Sequence, residues 1–112
     1  MTIADLADVL EAEVVCGEEQ LGATVTDFAA SDLLSDVLSF EKEDYAVLTG
    51  LTNSQIIRTA EITNACCVVI LRDKRPQQAA VVLAERCGIP LLLCPLAMFD
   101  ACGKLRMYVE NH

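Results

Sequence analysis

The sequence predicts a three-layer α/β domain, with about five mostly parallel strands and helices on both faces of the sheet. Two observations predict it. First, the short apolar runs Ala65–Leu71 ("ACCVVIL") and 89–94 ("IPLLLC") are nearly continuous, which is typical of parallel strands covered on both faces. Second, such runs alternate with helical patterns of roughly 10 to 13 residues joined by short loops, an arrangement that indicates βαβ units with right-handed crossovers.

The first half of the chain predicts two helices and two strands. Thr2 caps the first helix, with Asp5 three residues on as the partner in a capping box. A short strand follows over 13–17, where a glycine ends it, and the alternating stretch 23–30 ("ATVTDFAA") predicts a second strand. Ser31 is then expected to cap the next helix, whose apolar residues repeat at helical spacing.

The second half predicts strands over 45–50, 65–72 and 89–95. Between them, a helix is expected over Asn53–Asn64, and another begins with Pro76 at its first position and stops at Gly88. A final helix is expected to end or bend at Gly103, and the polar tail Arg106–His112 to fray.

The length and composition bound the class of protein. A chain of 112 residues fits one domain over its whole length, 1–112. Its apolar runs fall well short of the ~20 residues that span a bilayer, and its acidic start lacks the basic region of a signal peptide, so we expect a cytoplasmic protein without a membrane segment. With 54% hydrophobic residues, the chain has apolar surface to spare, which favours a homodimer.

The net charge of −9 is unevenly distributed. Residues 1–44 carry 12 acidic side chains and one lysine, whereas residues 45–112 carry 5 acids and 7 bases. Nucleic acid is not an expected partner, because binding it depends on Lys and Arg that neutralise phosphates. The acidic half either attracts a basic protein or simply forms solvated helix faces.

The six cysteines are expected to be free thiols, because no secretory signal accompanies them. There is no Cys-x-x-Cys motif, and the only histidine is His112, so we expect neither a metal nor another cofactor. An iron–sulfur or metal accessory protein is the minor alternative, with the cluster held by Cys16, Cys87, Cys94 and Cys102.

The turns after the parallel strands are the candidate binding region, because ligands of such sheets lie at the carboxyl ends of the strands. The turn after the third strand offers Gly50, Thr52 and Asn53, and the next turn offers Arg72 and Lys74. We call these five residues the edge notch, which would suit a nucleotide or another anion. The competing interpretation is structural, since Thr52 and Gln55 have the spacing of a capping box.

Catalysis is not expected. No Cys-His or Ser-His-Asp set exists, because the one histidine is the terminal residue. Asp32 and Asp36 could pair one helical turn apart, but they belong more simply to an exposed acidic face.

The chain also resembles a known family. Residues 44–105, with "YAVLTGLTNSQ", "VVILRDKRP" and "CGIPLLLC" in this order, look like the DRTGG domain, and "ASDLLSDVLSF" resembles the helix that leads into it. Gly50 and the Gly-x-Pro step fit the family pattern. Where the family has Asp-Arg, this chain has Leu51-Thr52-Asn53, and where the family has Thr-Gly-Gly, it has Arg72-Asp73-Lys74.

The resemblance implies a fold like the N-terminal domains of HPr kinase/phosphorylase and of Mur ligases. It also implies a non-catalytic accessory, regulatory or dimer-forming module, without catalytic residues to carry over. Stand-alone versions in anaerobic bacteria, associated with iron hydrogenase and other redox systems, are the most similar, so a redox protein is an implied partner. A nucleotide- or anion-sensing domain is the alternative function.

Overall fold

The computed structural model describes residues 1–112 and contains five strands and five helices, which alternate from the second strand onward. The helices are α1 (Ile3–Leu10), α2 (Leu34–Leu38), α3 (Ser54–Ile62), α4 (Gln78–Cys87) and α5 (Met98–Asn111). The strands are β1 (Glu13–Cys16), β2 (Asp27–Ala30), β3 (Tyr45–Thr49), β4 (Cys67–Ile70) and β5 (Leu91–Leu93), and a 3-10 turn covers Glu18–Gln20.

The strands form one sheet in the order β1-β5-β4-β3-β2. The pairs β2–β3, β3–β4 and β4–β5 are parallel, and β1 is antiparallel to β5 with an irregularity between Val14 and Cys16. The predicted fold class is therefore confirmed: the sheet is mostly parallel and has five strands.

Helices cover both faces of the sheet. Alternate residues of β3 show this, because Tyr45 and Val47 point into a core of 15 buried residues shared with α2, α3 and α4. Ala46 and Leu48 point into a core of 14 buried residues shared with α1 and α5. The two cores are nearly equal in size, which explains why the central strands are apolar without interruption. We call the two sides the three-helix layer and the two-helix layer.

The predicted caps at the start of the chain and at the end of α4 are confirmed. Thr2 Oγ1 accepts the Asp5 N–H at 3.1 Å, and an Asp5 side-chain oxygen accepts the Thr2 N–H at 2.9 Å. This second bond is the main reason why the pKa of Asp5 is lowered. Gly88 ends α4 in the left-handed conformation, with φ of 68°.

Two predicted helix starts are wrong. Ser31 does not cap α2, which begins at Leu34; its hydroxyl instead accepts the Leu33 N–H at 3.0 Å in the preceding turn. Pro76 is not the first residue of α4, since Gln77 is still extended and donates its N–H to the Thr52 carbonyl at 2.9 Å. A hydrogen bond within the same turn holds Leu33 out of the helix, and one to a different loop does the same for Gln77.

The last helix is longer than expected. It continues through Gly103 to Asn111, so the predicted break at the glycine and the frayed tail are both wrong. The packing of Ala101 and Leu105 against the two-helix core outweighs the ~1 kcal/mol that an interior glycine costs a helix. None of the helices has both the length and the apolar character that crossing a bilayer requires.

Candidate functional site

The carboxyl ends of the parallel strands bring part of the edge notch together. Gly50 follows β3 and is buried, whereas Arg72 and Lys74 follow β4 and are exposed. A Cβ atom added to Gly50 would lie 2.6 Å from Arg72 Nη2 and 3.4 Å from Lys74 Nζ. Both cationic groups therefore close over the glycine, as the sequence predicted.

The remaining two predicted residues have structural roles. Asn53 is the N-cap of α3, and its side-chain oxygen accepts the N–H groups of Gln55 at 3.1 Å and Ile56 at 3.3 Å. The predicted capping box of Thr52 and Gln55 is wrong, because the cap lies one residue later. Thr52 contributes its carbonyl, which holds the loop that leads into α4.

Asp32 is the residue that the sequence interpretation missed. Its Oδ1 accepts the Gly50 N–H at 2.6 Å and lies 3.3 Å from Thr49 Oγ1, and its Oδ2 lies 3.4 Å from Arg72 Nη2. Asp32 precedes α2, so it is not part of the acidic helix face where it was expected, and it does not pair with Asp36. Asp36 instead accepts a hydrogen bond from the Ser31 hydroxyl at 3.0 Å.

A carboxylate of the chain itself thus occupies the centre of the notch. It receives a backbone N–H, a hydroxyl and a guanidinium, which are the groups that would otherwise hold an anionic ligand. The ion pair of Arg72 and Asp32 is about half exposed, at 46% and 50% of the two side chains, so its own contribution to stability is small.

The backbone under Arg72 is unusual. Arg72 and Asp73 have φ of 61° and 54°, a left-handed conformation that favours glycine. Their N–H groups donate to the carbonyls of Leu96 at 2.9 Å and Cys94 at 3.0 Å, and these bonds hold the turn against the segment after β5. This is the turn where the resemblance places Thr-Gly-Gly, and the left-handed backbone gives a physical reason for glycine there.

The cysteines do not form a metal centre. All six are free thiols, and nowhere in the chain do three or more His, Cys, Asp or Glu side chains converge to hold a metal ion. Cys16 lies 3.7 Å from the Ile89 carbonyl and Cys94 lies 3.2 Å from the Leu10 carbonyl, each inside a different core. The iron–sulfur arrangement considered from the sequence is therefore not assembled.

Burial of three of the six thiols makes the stability of the folded chain depend on pH. It raises the pKa of Cys16, Cys94 and Cys102, whereas the neighbouring Cys67 thiol lowers the pKa of Cys66. A raised thiol pKa means that the unfolded chain loses its proton first, so stability is full below the ordinary value near 8.5 and falls as pH rises past it.

We therefore expect the urea midpoint of the reduced protein to fall steadily between about pH 8 and pH 10. Denaturation curves followed by circular dichroism at several pH values measure it. A Cys16→Ala variant serves as the control, because removing one buried thiol should flatten the decline. A midpoint that stays constant or rises with pH would contradict the expectation.

Comparisons with known proteins agree with a DRTGG-like α/β fold. No family model matches the chain. The solved structure of the CBS and DRTGG domains from the regulatory region of Clostridium perfringens pyrophosphatase, complexed with the activator diadenosine tetraphosphate, is similar, with a TM-score of 0.73 and 16% identity. The match covers 90% of this chain and 44% of that one, and it confirms the fold that the resemblance implied.

A curated relative is similar in sequence. The chain is 27% identical over 124 aligned positions, which cover 97% of its length, to HPr kinase/phosphorylase of Brevibacillus brevis (strain 47 / JCM 6285 / NBRC 100599). It spans 40% of that protein, so it corresponds to less than half of either relative.

Proposed function

We propose that the chain is a non-catalytic regulatory domain that acts by associating with proteins, both with a second copy of itself and within a larger assembly. The observation that carries the proposal is the Asp32 carboxylate at the centre of the edge notch. Because it already takes the Gly50 N–H at 2.6 Å and faces Arg72, the position where a small anion would bind has an internal occupant.

The surroundings of the single histidine also favour a non-catalytic role. His112 stacks on Tyr108 with 4.0 Å between the ring centroids, and its Nδ1 lies 2.9 Å from the Tyr108 carbonyl. These contacts hold the histidine at the exposed end of α5, where its ring nitrogen bonds a backbone carbonyl and not a thiol or hydroxyl that it could activate. The similar pyrophosphatase structure comes from a regulatory region, which supports the same role.

The partner in a larger assembly is expected to present a basic surface, since residues 1–44 carry 12 acidic side chains and a single lysine. A redox protein such as iron hydrogenase is the partner that the family resemblance implies. Such a redox protein is therefore the first partner to look for in a pull-down from an anaerobic bacterium.

The second candidate function is anion or nucleotide sensing at the edge notch. The observation in its favour is the approach of Arg72 Nη2 and Lys74 Nζ to the same glycine, beside the N-terminus of α3. In this function the ligand phosphate would displace Asp32 and take over its hydrogen bonds.

A thermal-shift experiment separates the two functions. Inorganic phosphate, ATP and diadenosine tetraphosphate are expected to leave the melting temperature of the wild-type chain unchanged. A ligand bound in the notch would instead stabilise the chain, by about 2.7 kcal/mol at ~100 times its Kd.

The variants Arg72→Ala and Arg86→Ala make the result specific. Arg86 is an exposed arginine of α4 that belongs to no part of the notch, so it is the matched control. A shift that Arg72→Ala abolishes and Arg86→Ala preserves would overturn the first function in favour of the second.

A further inference from the structure

Helix α5 has an apolar stripe that packs inside the chain and a second, only partly apolar stripe that does not. Ala101 and Leu105 face the two-helix core and are buried. Phe99, Cys102, Arg106 and Val109 follow one another at intervals of three, four and three residues, so they form a second stripe along the helix. Phe99 is 87% exposed and Val109 is 47% exposed, although a helix within one chain normally needs only one apolar face.

The second stripe borders an open groove of about 480 Å³ between α5 and β2. Its floor includes Phe28 and Ala30 of β2, which pair in register with Ala46 and Leu48 and so point to the same side of the sheet. Ala46 and Leu48 are covered by the two-helix layer, whereas Phe28 is only partly buried and Ala30 is exposed. The two-helix layer therefore does not fully cover β2, which is an edge strand of the sheet.

Gly103 also borders the groove, and the chain itself offers no reason for a glycine there. It lies within α5, and a Cβ atom at this position would meet nothing within 4 Å. An interior glycine weakens a helix relative to alanine, and the free space above this one leaves room for a second backbone to approach closely.

We propose that this surface, formed by the second stripe of α5 and the groove beside β2, binds a second copy of the chain in a two-fold dimer. The inference rests on the self-association proposed above and assigns its face. The spacing of three, four and three reads the same in both directions. An antiparallel pair of α5 helices therefore places Phe99 opposite the partner's Val109 and Cys102 opposite the partner's Arg106.

Charge favours a second copy as the occupant. Two chains of net charge −9 repel each other over most of their surface, whereas α5 carries two acids, Asp100 and Glu110, and two bases, Lys104 and Arg106. Arg106, the base that borders the groove, lies 3.9 Å from Glu110 on the same helix, so this pair adds no net charge to the surface. A basic protein partner would find its complement on residues 1–44 instead.

The surface extends along α5, which with its 14 residues is about 21 Å long, and continues onto the uncovered face of β2. A dimer of standard size buries roughly 800 Å² on each partner, so the interface would include residues around the groove as well.

Sedimentation equilibrium of the full chain, as wild type, Phe99→Glu and Ile62→Glu, tests the proposal. Ile62 is the matched control, because it is also an exposed apolar residue, at 70%, but lies at the end of α3 in the three-helix layer. We expect a wild-type dimer, a Kd at least about tenfold higher for Phe99→Glu because two buried phenylalanines are lost, and no change for Ile62→Glu.

A Gly103→Ala variant adds a readout that does not depend on an introduced charge. In the dilute monomer it is expected to raise the melting temperature, because alanine favours the helix. At higher concentration it should weaken the dimer, since the added methyl group separates the two helices.

Two outcomes would overturn the inference, and only one of them also contradicts the proposed self-association. If the wild type dimerises and Phe99→Glu has the same Kd as Ile62→Glu, this face is wrong while the proposed self-association holds. If the wild type remains a monomer at every concentration, both the face and the self-association fail.

Discussion

Replacing Tyr45 with alanine is expected to lower the free energy of unfolding by about 4 kcal/mol, as for other large-to-small changes of a buried aromatic residue. Tyr45 is fully buried at the start of β3, and its ring centroid lies 4.6 Å from that of Phe40 at an angle of 49°. Its hydroxyl is hydrogen-bonded to the Thr63 hydroxyl at the end of α3. The substitution therefore removes a contact between three elements as well as apolar area.

The chain contains only one other tyrosine, which provides the control. Tyr108 is partly exposed on α5 and stacks on the terminal histidine, so Tyr108→Ala is expected to cost less than about 1 kcal/mol. Urea denaturation followed by circular dichroism suits both variants, since the protein has no tryptophan and the tyrosines are the residues changed. Equal losses for the two would show that the ring of Tyr45 does not hold α3 and the segment after α2 onto the sheet.

The fold was predictable because its signals are local. The runs at 65–71 and 89–94 are apolar at every position, and parallel strands covered on both faces require this pattern. The antiparallel direction of β1 was not predictable in the same way. It depends on the pairing of Glu13 with Leu93, which are 80 positions apart in the sequence, and no local pattern encodes that pairing.

The ends of the elements were harder to predict than their presence. Local preference placed the α4 start at Pro76 and an interruption of α5 at Gly103, and both expectations were wrong. In the first case the Gln77 N–H bonds to a different loop, and in the second the burial of Leu105 keeps the helix intact. Tertiary contacts overrode propensity at both positions.

The candidate site was likewise predictable only in part. Gly50, Arg72 and Lys74 were predicted to lie together because each follows a strand of a parallel sheet, and the structure confirms that they do. Asp32 was missed because its place depends on β2 being the neighbour of β3, which the strand order alone reveals. The missed residue is also the one that changes the interpretation of the site, from an open anion site to one that is internally occupied.

The second large effect is expected for Gly17→Ala, with a loss of about 3 kcal/mol that combines left-handed strain with overpacking. Gly17 has φ of 88°, and a Cβ atom there would lie 2.6 Å from Pro90 Cα. The contact is with backbone just before β5, so it cannot be relieved by rotation of a side chain. We expect the variant to open the β1–β5 pair first, because Cys16 pairs with Leu91 beside the clash.

The position of the destabilised region distinguishes a clash with Pro90 from a general cost of placing alanine in a turn. Gly22→Ala is the control, since no atom lies within 4 Å of a Cβ at that position and its backbone is not left-handed. Its urea midpoint should match that of the wild type, while hydrogen exchange in Gly17→Ala should accelerate most at the amides that join β1 to β5. If Gly17→Ala lost less than about 0.5 kcal/mol, the size of an ordinary surface substitution, the close approach of Gly17 to Pro90 would not be what fixes β1 at the edge of the sheet.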